Sequence, residues 1–463
     1  MRPRALSLAL SLTVPVMLAG RPAVAQRAPR SARAAVVARL DSLARAFVAS
    51  GQTPGLAVFV LRGNDTLLLR GYGFADLEDS TPVTPRTVFR IGSITKQFTA
   101  ALVMQQVEEG RISLDDTIQK FLPGYPAQGH RVTVRHLLTH TSGIRSYTEL
   151  GAETERVMRL DLPEDSLIAL FASRPFDFAP GERYHYDNSG YYLLGVILEK
   201  ATGRTYEQLL PGRLFTPLGL RDTRYCSTGP IVPRRAQGYE RGPGGWVNAD
   251  WISMTLPFAA GALCSTVLDL VKWTRALWSE AVVDSATLRE MTTSGRLNDG
   301  SATGYGFGLM LDTLGGHRQV AHGGAINGFQ AVLAHYPDDG VTLAVLANSV
   351  NARPAQLAQR LARVALGLPL PVVQDLPLAA AERARYVGEY ALGALTLRIF
   401  EQGDSLMAQA TGQPASRLRS QGQHRFVPTL DDAVSLVFEV TGDRATGLVL
   451  HQGGRDVHAA RTN

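Results

Sequence analysis

The sequence predicts an α+β fold: an antiparallel sheet flanked by helices, an all-helical subdomain beside it, and a small all-β domain at the C-terminal end. Three observations support this prediction. Strand patterns occur as hairpins near both ends of the first 366 residues, and strands joined as hairpins pair antiparallel. Helix patterns and loops fill about residues 111–260 between them. Beyond about residue 378, short apolar runs separated by turn residues are typical of a small barrel or sandwich.

The first elements follow from apolar periodicity. Residues 32–50 have the spacing of an amphipathic helix. Residues 55–61 and 66–71 read as a hairpin around Gly63-Asn64-Asp65. The next helix covers about residues 94–109 and ends at Gly110, because glycine readily adopts the backbone conformation that follows a helix.

The middle and later elements are predicted in the same way. The clearest helices of the middle region are residues 134–140, 163–172 and 190–201. Strands return at residues 305–311, 317–323, 329–336 and 341–347, and a helix covers residues 355–366. Together these elements predict one α+β domain over residues 32–366.

Residues 367–463 have a different sequence pattern. Pro369 and Pro371 mark residues 367–377 as a linker. Residues 378–463 are predicted to form the small β-domain, with strands at 386–390, 395–400, 406–411, 424–427, 434–440 and 447–452.

The N-terminus has the pattern of a secretory signal peptide. Arg2 and Arg4 precede an apolar run over residues 5–19, and Ala23-Val24-Ala25 is a small-residue cleavage site. An uncleaved anchor is the alternative, but the run is short for a membrane span and Pro15 interrupts it. We therefore expect residues 1–25 to be removed and the protein to be exported, either periplasmic or secreted, with no transmembrane anchor afterwards.

Composition excludes some classes of partner and suggests a disulfide. The formal charge of +6 would fall to +3 once the three arginines of residues 1–25 were removed, and no basic block follows, so a nucleic-acid partner is not expected. The two cysteines, Cys226 and Cys264, are predicted to form a disulfide in an oxidising compartment. Two buried free thiols are the alternative.

Ser93 and Lys96 form a Ser-x-x-Lys motif at the start of a predicted helix. Side chains three residues apart share one helix face, so the hydroxyl and the amine can meet. A serine needs a base to become a nucleophile, and a buried lysine can lose its proton whereas arginine cannot. The chain has only four lysines among its 47 basic residues, and only Lys96 follows a serine at this spacing. The alternative is that Ser93 merely caps the helix.

Two further motifs suggest a cleft. In Tyr186-Asp187-Asn188, the tyrosine and the asparagine can face one cleft, and an ammonium close by would lower the pKa of the phenol and make it a general base. Alternatively, Asn188 or Ser189 caps the helix that follows. In His322-Gly323-Gly324, the glycines would let a substrate approach the strand backbone; the alternative is a strand ending at a glycine-rich bend.

In order and spread, these three motifs resemble those of the serine β-lactamase and penicillin-binding-protein superfamily. The class C β-lactamase-related group is the most similar. It includes D-Ala-D-Ala carboxypeptidases, D-aminopeptidases and esterases. The resemblance covers about residues 32–366, and residues 378–463 are similar to the small β-domain that follows many such hydrolases. It also includes three supporting stretches: Phe89-Arg90-Ile91-Gly92, His136-Leu137-Leu138-Thr139-His140-Thr141-Ser142-Gly143 and Ala260-Gly261-Ala262-Leu263-Cys264-Ser265-Thr266.

The resemblance implies a role for each motif residue. Ser93 would be the acylated nucleophile, activated by Lys96 and Tyr186, and Asn188 would hold Lys96 and the substrate amide. Backbone N–H groups of Ser93 and Ala325 would form the oxyanion hole beside Gly324. His322 stands where penicillin-recognising relatives often have lysine, and Asp187 stands where serine is commoner. Both departures weaken the expectation of β-lactam turnover, because a neutral histidine attracts a carboxylate less than lysine does.

The resemblance therefore implies a serine hydrolase that acts through an acyl-enzyme on amides or esters of D-amino-acid peptides, β-lactams or small carboxylic esters. The N-terminal pattern adds that this hydrolase is exported. No cofactor or metal is expected, and the expected partner is a small-molecule or peptide substrate, a class that includes cell-wall-derived peptides. One alternative is a metal site at His136 and His140, which are four residues apart on a predicted helix. Another is a non-catalytic peptidoglycan- or ligand-binding protein on the same scaffold.

Overall fold

The computed structural model describes residues 30–392, 395–411, 415–429, 434–452 and 455–462. The predicted signal peptide, residues 1–25, lies outside these ranges. Twelve strands precede the C-terminal barrel. They are β1 (Gly55–Arg62), β2 (Asp65–Asp76), β3 (Thr81–Pro82), β4 (Phe89–Arg90), β5 (Arg224–Tyr225), β6 (Tyr239–Gly242), β7 (Gly245–Asn248), β8 (Leu263–Ser265), β9 (Met310–Leu314), β10 (His317–Ile326), β11 (Phe329–Tyr336) and β12 (Val341–Ala347).

Fourteen α-helices lie in the described ranges. They are α1 (Arg30–Ala49), α2 (Thr95–Glu108), α3 (Ile118–Phe121), α4 (Val134–Leu138), α5 (Ala152–Val157), α6 (Glu164–Ala172), α7 (Asn188–Thr202), α8 (Tyr206–Leu210), α9 (Thr216–Leu218), α10 (Phe258–Gly261), α11 (Val267–Trp278), α12 (Ser285–Met291), α13 (Pro354–Leu366) and α14 (Ala380–Ala384). Among the described residues, no helix has both the length and the apolar character needed to cross a membrane.

The main sheet is antiparallel throughout, as predicted. Its seven strands lie in the order β3-β2-β1-β12-β11-β10-β9. Side chains alternate between its two faces. On one face, Ala57 and Phe59 join a core shared with α2, α7 and α11. On the other, Val58 and Val60 pack with α1 and α13. Helices therefore cover the sheet on both sides.

Several boundaries differ from the predictions, and glycines explain the largest difference. A strand over residues 305–311 was expected, but β9 begins only at Met310. Gly304 and Gly308 have φ angles of 73° and 70°, which interrupt extended backbone. Conversely, β10 does not end at its glycines but continues to Ile326. The middle region is not all-helical, because it also contains the short strands β5, β6 and β7.

The C-terminal region is a closed barrel of eight strands in sequential order. They are β13 (Gly388–Leu392), β14 (Leu395–Gln402), β15 (Ser405–Ala410), β16 (Ser416–Gly422), β17 (Arg425–Pro428), β18 (Ser435–Thr441), β19 (Arg444–Gln452) and β20 (Arg455–Arg461). β13 pairs with β20 and closes the barrel. The sequence predicted six of these strands and missed β16 and β20, whose polar and arginine-rich segments lack long apolar runs. The barrel has a core of its own, which includes Tyr390, Phe426 and Phe438.

Candidate active site

Ser93 lies in a 3-10 turn, Gly92–Ile94, that leads directly into α2. Gly92 has a φ of 49°, and a Cβ atom there would lie 2.9 Å from the backbone nitrogen of Ala325. Only glycine permits both this conformation and this approach. The backbone of the turn that contains Ser93 therefore packs directly against β10. The Ser93 side chain makes no cap to α2, so it is left available for chemistry.

Lys96 is fully buried and reaches three oxygens. Its Nζ lies 3.0 Å from Ser93 Oγ, 2.8 Å from Asn188 Oδ1 and 2.9 Å from the Ala260 carbonyl oxygen. Burial lowers its pKa well below the usual value, and the negative charge of Asp187 only partly opposes this. An amine with a lowered pKa is available in its neutral form, which can accept the proton of Ser93.

Tyr186 lies beside this pair but is not a phenolate. Its ring centroid is 4.7 Å from Lys96 Nζ. Burial raises the pKa of Tyr186, and the neighbouring Ser93 hydroxyl only partly offsets the rise. The predicted lowering of this pKa is therefore wrong, because the loss of hydration outweighs any attraction to the amine. Its hydroxyl is buried and has no hydrogen-bond partner within the described ranges, so its capacity to donate a hydrogen bond is unused.

The Tyr186-Asp187-Asn188 motif is held by the start of α7. Asp187, rather than Asn188 or Ser189, is the residue that caps the helix. Its carboxylate accepts hydrogen bonds from the backbone nitrogens of Ser189 (2.7 Å) and Gly190 (3.0 Å). Burial raises the Asp187 pKa to about 7. This cap leaves Asn188 free to join Lys96 to Thr148, whose hydroxyl accepts from Asn188 Nδ2 at 3.0 Å.

His322 is buried and neutral. Its Nε2 is 2.9 Å from the Tyr305 hydroxyl and its Nδ1 is 2.5 Å from the Gly323 carbonyl oxygen. Burial, followed by the charge of Lys96, lowers the pKa of His322 to about 3. The residue therefore supplies hydrogen bonding but no positive charge near neutral pH.

Gly324 and Ala325 lie where β10 meets the Ser93 turn. Between His322 and Ile326, β10 pairs with β11 but not with β9, whose pairing ends at Ala321. A Cβ atom at Gly324 would lie 1.9 Å from the Ile91 carbonyl oxygen, so any side chain would push the strand and the turn apart. Ala325 is exposed at this free edge.

His140 and Tyr305 are site residues that the sequence did not single out for this role. The Nδ1 of His140 accepts a hydrogen bond of 3.0 Å from the Asp187 backbone nitrogen. Its ring centroid lies 4.3 Å from that of Tyr186 and 4.6 Å from that of Tyr305. His140 thus fixes both the backbone and the ring of the tyrosine motif. The stretch from His136 to Gly143, which is part of the family resemblance, was the sequence signal that could have identified His140. Tyr305 gave no such signal, because it was assigned to a predicted strand.

The alternative of a metal site at His136 and His140 does not match the fold. Helix α4 ends at Leu138, and His140 has a φ of 56°. His136 Nδ1 instead accepts from the Thr133 backbone nitrogen at 3.2 Å and completes a capping box. The described residues place Glu149, Asp177 and His185 together, but Arg145 binds Asp177 at 2.7 Å and Glu149 binds His185 at 2.8 Å.

The two cysteines are buried and unbridged in this structure, so it does not contain the predicted disulfide. Cys264 is in β8, which pairs with β5, and the Cys226 backbone nitrogen donates to the Ala262 carbonyl at 2.9 Å. A hydrogen bond between the thiols lowers the pKa of Cys226. The two residues are thus neighbours, and Cys264 in β8 is paired with Arg90 in β4.

Comparisons with known proteins agree with this geometry. A family model described as Beta-lactamase matches residues 40–367. Penicillin-binding protein 4* of Bacillus subtilis (strain 168) is 26% identical over 434 residues, which are 88% of this chain and 94% of that protein. A D-aminopeptidase of Brucella anthropi is 30% identical over 346 residues, which are 71% of this chain. The match spans 62% of that relative's length.

Solved structures are similar over the same regions. The octameric penicillin-binding protein homologue from Pyrococcus abyssi has a TM-score of 0.66 and 27% identity, covering 91% of this chain and 99% of that one. The D-amino acid amidase from Ochrobactrum anthropi SV3, complexed with L-phenylalanine amide, has a TM-score of 0.65 and 26% identity. That similarity covers 72% of this chain and 99% of the amidase.

Proposed function

The chain belongs to the β-lactamase family, and from this premise we propose that it is a serine hydrolase that forms a covalent acyl-enzyme on Ser93. One observation carries the proposal: Lys96 Nζ lies 3.0 Å from Ser93 Oγ in a site that lowers the lysine pKa. A neutral amine within hydrogen-bond distance is what a serine hydroxyl needs to become a nucleophile.

In the first half of the reaction, Lys96 takes the proton of Ser93 while Oγ bonds to the carbonyl carbon of the substrate. The carbonyl electron pair moves to oxygen, and the backbone N–H groups of Ser93 and Ala325 stabilise that oxyanion. When the intermediate collapses, the bond to the leaving nitrogen or oxygen breaks. The leaving atom takes its proton from the Tyr186 hydroxyl, and the Lys96 ammonium restores that proton.

In the second half, a water molecule attacks the acyl carbon and gives its proton to Lys96. The ester bond to Ser93 then breaks and the serine recovers a proton through the same groups. The raised pKa of Tyr186 supports its role as a proton donor rather than a base. Asn188 positions Lys96 through the 2.8 Å contact and offers its amide to the substrate.

For the substrate, we propose amides or peptides of D-amino acids and small esters. The names of the relatives, which include D-aminopeptidases and a D-amino acid amidase, support this class. The neutral state of His322 also supports it. β-Lactams and carboxypeptidase substrates carry a carboxylate close to the scissile bond, and His322 offers that carboxylate no positive charge.

The cleft beside Ala325 supports a substrate with a free amino group. It has a volume of about 380 Å³, and its lining includes Ala325, Glu240, Asp250, Asn327 and Gln330. Two carboxylates next to the expected oxyanion site would attract an ammonium group. Arg159 already pairs with Asp250, so Glu240 is the better partner.

A panel assay tests the proposal. The substrates are D- and L-amino-acid nitroanilides, their N-acetylated forms, nitrocefin, D-Ala-D-Ala peptides and nitrophenyl esters, with acylation followed by intact-mass spectrometry. We expect hydrolysis of D-amino-acid amides with free amines and of esters, and an adduct that is lost in Ser93→Ala but kept in the matched control Ser113→Ala. An adduct that survives in Ser93→Ala would place the nucleophile elsewhere. No adduct or turnover with any substrate would favour a binding protein.

We also propose that the protein is exported after removal of residues 1–25. The basic, apolar and small-residue regions of the N-terminus support this. N-terminal sequencing of the protein from its native host should begin at Gln26; a start at Met1 in the mature protein would contradict export by this route.

A further inference from the structure

A cavity of about 1190 Å³ lies between the helices behind the sheet and the barrel. Its walls come from α1, β9 and α13 on one side, and from β16, β17 and β18 on the other, with residues 371–374 along the edge. Small-molecule pockets measure about 300–1,000 Å³. This cavity therefore has room for an extended or oligomeric ligand.

The cavity is separate from the site at Ser93. Along β10, Val320 packs into the core on the α2 side of the sheet, whereas Ala321 packs against the core of α1 and α13. Because side chains alternate, His322 faces the Ser93 side while Gln319 lines the cavity on the other face. A ligand in the cavity would thus bind behind the sheet and leave the catalytic groups free.

The charged residues of the cavity are predominantly basic. Arg360, Arg363 and Arg425 line it together with a single acid, Asp312. Within the part of the chain that the structure describes, neither Arg360 nor Arg425 forms an ion pair, and Arg363 donates to the Pro369 carbonyl at 3.2 Å. Guanidinium groups bind carboxylates in a bidentate manner.

The uncharged residues that line the cavity indicate which kind of anionic ligand it can bind. Seven of the lining residues are glutamines, and a primary amide carries both donors and an acceptor, as peptide groups do. The Gln421 amide is already bonded to Gln374 and Arg419, and Gln319 donates to the Tyr336 hydroxyl. The cavity also borders β9, the edge strand of the sheet, where an extended chain could add main-chain hydrogen bonds. The one aromatic ring in the lining, Phe47, is only 7% exposed. Stacking of nucleic-acid bases, which needs exposed rings, is therefore not supported.

We propose that this cavity binds an extended acidic peptide segment, with its carboxylates against Arg360, Arg363 and Arg425 and its backbone amides against the glutamines. The site is independent of Ser93 and does not depend on which bond the enzyme cleaves. It gives the barrel a role in holding a peptide chain at a second place on the molecule.

Fluorescence anisotropy with a labelled hexaglutamate peptide tests this on the full chain. The double variant Arg360→Glu/Arg425→Glu reverses the two unpaired cations. The matched control Arg204→Glu/Arg398→Glu makes the same charge change at exposed arginines outside the cavity, one before the linker and one in the barrel. We expect Kd to rise by about tenfold or more in the cavity variant and by less than about twofold in the control. Hexaglutamine should bind more weakly than hexaglutamate.

Folding is monitored by thermal melting and by acylation of Ser93, and the single variant Arg360→Gln provides a milder change if the double variant is unstable. Equal loss of binding in both double variants would show a general charge effect and overturn the proposal. Binding of heparin but not of the peptide would assign the cavity to an acidic glycan and overturn it. Self-association that Arg360→Glu/Arg425→Glu abolishes, without peptide binding, would make the cavity an interface between copies and overturn it as well.

Discussion

At the scale of single residues, the proposed chemistry depends on a lysine that can lose its proton. Lys96→Arg keeps the positive charge and much of the length, but arginine does not release a proton in a protein. We expect kcat to fall by at least about a hundredfold, as when a member of a catalytic unit is removed. Steady-state kinetics on the best substrate of the panel measure this fall in kcat. Lys120→Arg is the matched control, because Lys120 is exposed and pairs with Asp116. Retention of more than about a tenth of the activity would contradict the proton transfer.

We expect removal of the Tyr186 hydroxyl to reduce activity without reducing stability. Its hydroxyl is buried without a partner in the described ranges, and an unsatisfied buried polar group costs about 1–3 kcal/mol. Tyr186→Phe should therefore leave the free energy of unfolding unchanged or raise it, while kcat falls by about 10²–10⁴ through loss of proton donation. Urea unfolding and kinetics on the same samples test both parts. If the variant is destabilised by more than about 1 kcal/mol, the hydroxyl has a structural partner and the argument is wrong.

His322 should make the protein sensitive to acid. The folded pKa, about 3, is below the unfolded value of 6.5, so the folded state resists protonation. Its contribution to stability is complete above pH 6.5 and is lost as the pH falls towards 3. Between pH 6.5 and 5, the loss is up to about 2 kcal/mol for one group.

The variant His322→Gln isolates this contribution, because His140 remains in both proteins. Urea unfolding at pH 7 and pH 5 should show a smaller loss of stability in His322→Gln than in the wild type. An equal loss in both would mean that His322 titrates near its ordinary pKa in the folded protein.

The sequence indicated that Ser93 and Lys96 would meet and that the lysine pKa would be lowered, but not the direction of the Tyr186 pKa shift. Ser-x-x-Lys spacing predicted the contact between Ser93 and Lys96 because helix geometry is local. The pKa of Tyr186 depends on burial by distant segments such as those of His140 and Tyr305. Nothing in the local sequence reports that burial, so the predicted direction was wrong.

At the scale of elements, the site depends on how closely β10 approaches the Ser93 turn. Gly324→Ala would place a Cβ atom 1.9 Å from the Ile91 carbonyl oxygen, so the strand or the turn must move. Since a displacement of about 1 Å in a catalytic group can cost about a hundredfold in rate, we expect a loss of that order in kcat. Gly323→Ala is the matched control, because a Cβ atom there would approach nothing closer than 3.8 Å. Equal kinetics in the two variants would show that the approach is not needed.

Element boundaries were least predictable where a tertiary contact decides them. The apolar spacing of residues 134–140 predicted a helix through His140, but α4 ends at Leu138 and His140 accepts a hydrogen bond from Asp187 in the candidate active site. The two glycines of β10 were open to interpretation as a bend. The strand nevertheless continues through them, because β11 supplies a hydrogen-bonding partner up to Ile326. By contrast, the bounds of β11 and β12 match the prediction, since their apolar runs are buried and end at clear turns.

At the scale of the whole molecule, hairpins at both ends of the first region were enough to predict one antiparallel sheet. The barrel was predicted as a barrel or sandwich, and closure could not be inferred because β20, the closing strand, has a polar sequence. The cavity behind the sheet could not be predicted from the sequence either, because its walls come from segments as distant as α1 and β18. Such sites become visible only when the fold brings those segments together.

We expect the barrel to be separable from the catalytic chemistry. Ser93, Lys96, Tyr186, Asn188 and His322 all precede the barrel, and the barrel has its own core. A protein ending at Pro371 should therefore fold and acylate Ser93 with a small ester at a rate within about threefold of the full chain. It should lose binding of hexaglutamate, because Arg425 and the barrel wall of the cavity are gone. Stopped-flow acylation, circular dichroism and anisotropy on the same sample measure these outcomes. If a truncated protein that is shown to be folded fails to acylate, the barrel helps to build the active site and the two regions are not independent.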